Sequence, residues 1–224
     1  MSSCMMQSKV VVFDLDDTLY KEVDYLKSAY TEIADGVASQ CKQTDVYEKM
    51  WTWWQEGENV FERLICEYEL DNSISYFLEK YRKHVPQIQL DEATRTVLEQ
   101  LKRSCVLGMI TDGRSVAQHH KLQALGIDML FEKEDVLISE ETGWTKPMEQ
   151  PFYALMERYP QCSYYYIGDN PVKDFVAPNR LGWSTVCLLD DGRNVHKQDF
   201  SLESDYLPKY KIECIEELID IVER

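Results

Sequence analysis

Residues Val10-Val11-Val12-Phe13-Asp14-Leu15-Asp16-Asp17-Thr18-Leu19-Tyr20 decide the fold. Four β-branched or aromatic residues in a row, with no polar alternation, predict a strand buried on both faces, as in a parallel sheet. Asp14 and Asp16 follow at its carboxyl end. Residues i and i+2 of a strand share a face, which predicts both carboxylates in one cavity. Paired carboxylates raise each other's pKa, so a cation or a shared proton is expected with them. Asp17 falls on the other side of the alternation and is expected to make a turn hydrogen bond.

Two more apolar runs end in polar groups of complementary type. Val106 to Ile110 leads into Thr111-Asp112-Gly113, and Val116 to Leu125 then reads as a helix. A strand, a glycine turn and a helix start make an anion site, because free N–H groups and the positive helix end converge. Ser115 is the expected N-cap. Lys146 precedes Pro147, which biases it towards an extended conformation at a helix entrance. Tyr164 to Ile167 is the third run; it ends in Gly168-Asp169-Asn170-Pro171, with Asp174 expected one turn into the next helix. Ligands of open parallel sheets bind beyond the carboxyl ends of the strands, so these groups are expected to converge.

From Asp91 onward helices and strands alternate. Glu92–Arg103, Val116–Leu125, Glu149–Tyr159, Val172–Asn179 and Ile212–Val222 read as helices. Val106–Thr111, Val136–Ile138, Tyr164–Gly168 and Thr185–Leu189 read as strands. The reading is α/β, a Rossmann-like parallel sheet with helices on both faces. Residues 20–90 break that pattern with four helical segments, Tyr25–Cys41, Val46–Trp54, Val60–Tyr68 and Ser73–Lys83, the last capped by Asp71 or Ser73. Trp51, Trp54, Phe61, Leu64, Tyr76, Phe77 and Tyr81 are the candidates for their shared core. The expected division is a catalytic core of residues 1–19 and 91–224 with an all-α insertion at 20–90, hinged at Leu19–Asp24 and Ile88–Glu92. Asp190 to Asp205 reads as a long surface loop or mobile segment.

The 224 residues carry a formal charge of −16, which argues against nucleic acid or an anionic membrane surface as a partner. Seven scattered cysteines without metal spacing fit reduced thiols in a cytoplasmic protein. Met1 to Lys9 has no apolar stretch of export-signal length. Neither His119 and His120, which point different ways on a helix, nor His84 and His196 suggest a metal site.

Asp14-x-Asp16-x-Thr18, Thr111, Lys146 and the pair Asp169 and Asp174 occur in the order of the four motifs of the haloacid dehalogenase superfamily, which the chain resembles from about Lys9 to Leu189. The helical insertion resembles the cap that this superfamily places after its first motif. The resemblance implies a Mg2+-dependent phosphatase acting on a small phosphomonoester through an aspartyl-phosphate. Asp14 would be the nucleophile and Asp16 the acid and base. Mg2+ would sit on Asp14, the Asp16 carbonyl, Asp169 and Asp174. Thr111, Asp112 and Gly113 would hold the phosphoryl oxygens, with Lys146 offsetting charge beside Asp14. A phosphomutase shares these motifs; a 2-haloacid dehalogenase needs neither the acid nor the metal. Sugar phosphates, nucleotides and phosphorylated acids are all open as substrates, and the protein is expected to be a monomer or homodimer. Lys21, Glu22, Tyr25 and Trp54–Asn59 are candidates for selecting among substrates, with Arg114 and the loop around Trp144 as competitors.

Overall fold

In a computed structural model, which describes residues 8–224, six parallel strands form one sheet in the order β3-β2-β1-β4-β5-β6. They are β1 Lys9–Phe13, β2 Cys105–Thr111, β3 Val136–Ile138, β4 Ser163–Gly168, β5 Ser184–Leu188 and β6 Tyr210–Ile212. The reading of an export signal's absence from Met1 to Lys9 falls largely on residues outside those described, as does Cys4.

The buried run of β1 explains its central place. Val11 lies opposite Leu107 of β2 on one side and Tyr165 of β4 on the other. Val11 and Phe13 point into a layer with Leu98, Leu122 and Leu218. Those three come from α5 (Glu92–Lys102), α6 (Ser115–Leu125) and α10 (Glu217–Glu223). Val10 and Val12 point the other way, onto Phe152, Tyr166 and Trp183. There α8 (Gln150–Arg158) and α9 (Val176–Arg180) cover the sheet. A slip of one residue would exchange the layers, and burial of each such side chain contributes about 1.5–3 kcal/mol, so the register is fixed.

Between β1 and α5 lie α1 (Glu22–Cys41), α2 (Val46–Gln55), α3 (Val60–Glu67) and α4 (Ile74–Lys83). They share a core of their own that includes Leu26, Ile33, Met50, Trp53, Leu64 and Phe77. Phe61, Leu64 and Phe77 are where the sequence puts them, but Tyr76 is 42% exposed. Trp53 takes the place expected for Trp51 and Trp54. The buried stripe of α2 runs Val46, Met50, Trp53, so the other two indoles flank it, packed on each other with ring centroids 4.8 Å apart. Ser73 caps α4 by accepting the Tyr76 N–H at 3.3 Å. The exit from this block is pinned by His84, whose ring meets Ser28 Oγ at 2.7 Å and the Glu32 carboxylate. From the sheet side, the His120 ring bonds the His84 carbonyl at 2.9 Å.

Four expectations are corrected. The chain from Ile212 to Val222 is not one helix: Tyr210–Ile212 pairs with β5 as a sixth strand before α10 begins. Only Ile212 of its three residues is buried, too little pattern to register in the sequence. The helix expected from Val172 starts at Val176, because Asn170 closes a turn by accepting from Asp174 N–H at 2.9 Å. Asp174 therefore sits in that turn. Arg114, not Ser115, is the N-cap of α6, and the open N–H of Ser115 goes instead to the Glu140 carboxylate at 2.8 Å. Residues 190–198 are tied down at the sheet's carboxyl edge, as the hydrogen bonds below show. No described helix is long and apolar enough to cross a membrane.

Candidate active site

The carboxyl ends of β1, β2 and β4 open on one side of the sheet, and the polar residues that follow them meet there. Asp14 continues β1 by donating its N–H to the Ile167 carbonyl at 2.8 Å, which fixes its side chain beside β4. Lys146, wholly buried, lies 2.7 Å from Asp14 Oδ1 and 2.7 Å from Asp174 Oδ1. Its own N–H is held by Asp112 Oδ1 at 3.1 Å, and Tyr166 packs its hydroxyl 3.2 Å from the ammonium.

Asp14, Asp169 and Asp174 are all buried, with carboxylate oxygens within 4.8 Å of one another. Three carboxylates thus cluster beside the ammonium of Lys146, with the charge of Lys173 also reaching Asp14. Burial and the charges of Asp174 and Asp14 push Asp169 up to about 9. Burial likewise pushes Asp14 up to about 6, although Lys146 opposes it. Lys146 is driven the other way: burial disfavours its charge, but Asp14 and Asp174 outweigh that and hold it well above the ordinary lysine range. An all-oxygen donor set with surplus negative charge fits a hard divalent cation such as magnesium.

Asp16 stands apart from that group. The strand ends at Phe13, so alternation does not carry through to Asp16, and Asp17 adopts φ +58°. The Asp16 carboxylate meets Lys121 Nζ at 2.7 and 2.9 Å, the Tyr20 hydroxyl at 2.5 Å and Gln118 Nε2 at 3.1 Å. Burial pushes its pKa up, but the Lys121 charge and these hydrogen bonds win, so it lies below the usual aspartate value. Asp17 makes the local bond expected of it, accepting from the Glu22 N–H at 2.8 Å, and also accepts from the distant Val195 N–H at 2.8 Å.

Thr111 ends β2 buried, its hydroxyl oxygen accepting from Gln118 Nε2 at 2.6 Å. The Gly113 N–H points to Ser139 Oγ at 3.0 Å, at the start of α7 (Ser139–Thr142). Arg114 is engaged by Glu140 at 2.6 Å, and His119 by Glu141 at 2.8 Å.

Several site residues lie outside the strand ends and turns that mark the others. Gln118 and Lys121 are buried on the same face of α6 as Leu122 and Leu125, so polar residues on an otherwise apolar helical face were the available clue. Asn194 donates to Asp169 Oδ2 at 3.0 Å and accepts from Lys21 Nζ at 2.7 Å. Gln198 donates to the Asp169 carbonyl at 2.7 Å. Of the selectivity candidates, Glu22, Tyr25 and Arg114 line the cavity next to Asp16, while Lys21 faces residues 191–194 and Trp54–Asn59 do not line that cavity.

Known proteins share this architecture. A glyceraldehyde 3-phosphate phosphatase of Methanocaldococcus jannaschii is 29% identical over 236 residues, covering 96% of each chain. The HAD-hydrolase YfnB of Bacillus subtilis is 26% identical over 239 residues, covering 97% of each. The crystal structure of YfnB bound to magnesium superposes with a TM-score of 0.66 at 23% identity, covering 97% of this chain and 100% of that one. A 2-haloacid dehalogenase from Pseudomonas syringae superposes at 0.63 with 20% identity, covering 97% and 99%. Both structures speak to the fold. The profile of the haloacid dehalogenase-like hydrolases matches residues 11–188, from the third residue of β1 to the end of β5. With the profile spanning the motif-bearing strand ends, the chain belongs to the haloacid dehalogenase-like hydrolases.

Proposed function

We propose that the protein is a magnesium-dependent phosphatase of small phosphomonoesters that works through an aspartyl-phosphate on Asp14. The observation that carries this reading is the buried set Asp14, Asp169 and Asp174 around Lys146. Asp14 attacks the phosphorus in line; the bond to the ester oxygen breaks and the alkoxide leaves. That alkoxide takes a proton that the Lys121 ammonium gives up across the Asp16 carboxylate it is bonded to, leaving Lys121 neutral until the hydrolytic water returns the proton by the same route. Ionised Asp16 then accepts a proton from the water that hydrolyses the phosphorylated Asp14. Lys146 and the Thr111 hydroxyl offset the charge on the non-transferring oxygens, together with the N–H groups of Asp112 and Gly113, the latter released from Ser139. Magnesium, held by Asp14, Asp169, Asp174 and the Asp16 main chain, would relieve the repulsion between the attacking carboxylate and the phosphate.

The helical block, residues 20–90, acts in this reading as a cap over the catalytic core, 1–19 and 91–224, closing on the substrate and excluding water. Relatives named as glyceraldehyde 3-phosphate phosphatases direct attention to short sugar phosphates.

Replacing Asp14 by Asn tests the reading. Hydrolysis of p-nitrophenyl phosphate with magnesium should fall by about 10³-fold or more, with the circular dichroism spectrum unchanged. Wild-type turnover by that variant, or hydrolysis of 2-chloropropionate in place of phosphate esters, would overturn it.

A further inference from the structure

A cavity of ≈ 560 Å³ opens beside Asp16, between the helical block and the sheet. Tyr25, Tyr81 and Ala117 give it partly apolar walls, and Glu22 projects into it from the first turn of α1. The Glu22 N–H is used by Asp17, but its carboxylate has no hydrogen-bond or ion-pair partner among the described residues. Glu22 is half-buried, and with no protein donor its carboxyl is free to bond a group that enters the cavity. Burial, with the charge of Asp16 close by, pushes Glu22 up to about 8.

Two of the three cations that line the cavity are already paired. Lys121 is held by Asp16 and Arg114 by Glu140, while Arg82 stands exposed at the rim. Lys173 touches Glu22 through its charge alone and does not line the cavity. A second anionic group close to the ester would therefore meet Asp16 and Glu22, with the unpaired cation, Arg82, out at the exposed rim. A hydroxyl in the same place would donate to Glu22.

We propose that Glu22 is a specificity residue that accepts a hydrogen bond from a hydroxyl of the alcohol part of the ester. It would thereby select phosphates of short neutral polyols and sugars over phosphorylated acids. This rests on the phosphatase reading above and narrows its substrate class.

Glycerol 3-phosphate and 3-phosphoglycerate test it, since they share a carbon chain and differ in the charge at its far end. Assayed with magnesium above pH 8, where Glu22 ionises, the wild type should favour glycerol 3-phosphate in kcat/KM. Glu22→Gln should lower that preference at least about tenfold, with most of the change in KM, whereas Glu22→Asp should retain it. Thermal melting confirms that each variant is folded. A preference moved less than twofold by Glu22→Gln, or a wild type that favours 3-phosphoglycerate, would overturn the inference while leaving the phosphatase reading intact. A wild type inactive on both compounds and on p-nitrophenyl phosphate would overturn the phosphatase reading, and this inference with it.

Discussion

Gly168 ends β4 against the Asp174 carboxylate, and a methyl group placed on its Cα would lie 2.6 Å from Asp174 Oδ2. Asp174 has no room to yield, because Lys146 holds one oxygen at 2.7 Å and the Asn170 N–H holds the other at 2.8 Å. Gly168→Ala is therefore expected to cost about 1–3 kcal/mol. In a chain of this size that lowers Tm by roughly 2–4 °C per kcal/mol. Calorimetry checks this, and an unchanged Tm would mean that Asp174 is free to move. Asp14, Asp169 and Lys146 were legible in the sequence because an apolar run or a proline beside each one marked its position. The partners of Asp16 were not. Lys121 and Gln118 sit mid-helix, and what makes them part of the site is the turn of the chain after Phe13, which strand alternation does not describe.

Among the elements, the segment from Asp190 to Gln198 departs most from its composition. Its polar residues predict solvent, yet Asn194 reaches Asp169 and Lys21, and the Val195 N–H reaches Asp17. These contacts join it to residues far away in the chain, so no local pattern could announce them. The strands and the helices of residues 22–83 were legible for the opposite reason, since period-2 and period-3.6 patterns are local. Because Asn194 fixes one oxygen of a metal-ligand candidate, Asn194→Ala should weaken magnesium affinity about 10–100-fold. Titrating activity against magnesium, beside calorimetric binding of the ion alone, measures it. Unchanged affinity with lowered Tm would make the segment a structural strap only.

On the scale of the whole molecule, the buried acids tie stability to pH. Asp14 at about 6 and Asp169 at about 9 both lie above the ordinary aspartate value, so these two groups bind more protons in the folded chain than in the unfolded one from that ordinary value up to about 9. Stability of the chelated protein should then fall as pH rises from about 4 through about 9. Magnesium at about 100 times its Kd should return about 2.7 kcal/mol. That amounts to a Tm gain of roughly 5–10 °C, larger at pH 8.5 than at pH 5. Chelated protein that grows more stable across this range would contradict the metal assignment. The central position of β1 has a consequence for how the chain is made. The strand that carries Asp14 is the first to be synthesised, but its neighbours begin at Cys105 and Ser163. At ~5–20 residues/s, roughly 8–30 s pass on the ribosome before Gly168 follows Phe13. The helical block, built from contacts within residues 22–83, has time to fold in that interval. Val10 to Phe13 meanwhile waits with first both edges and then, once Thr111 is made, its β4 edge unpaired, so the strand bearing the nucleophile is also an exposed apolar edge of the nascent chain.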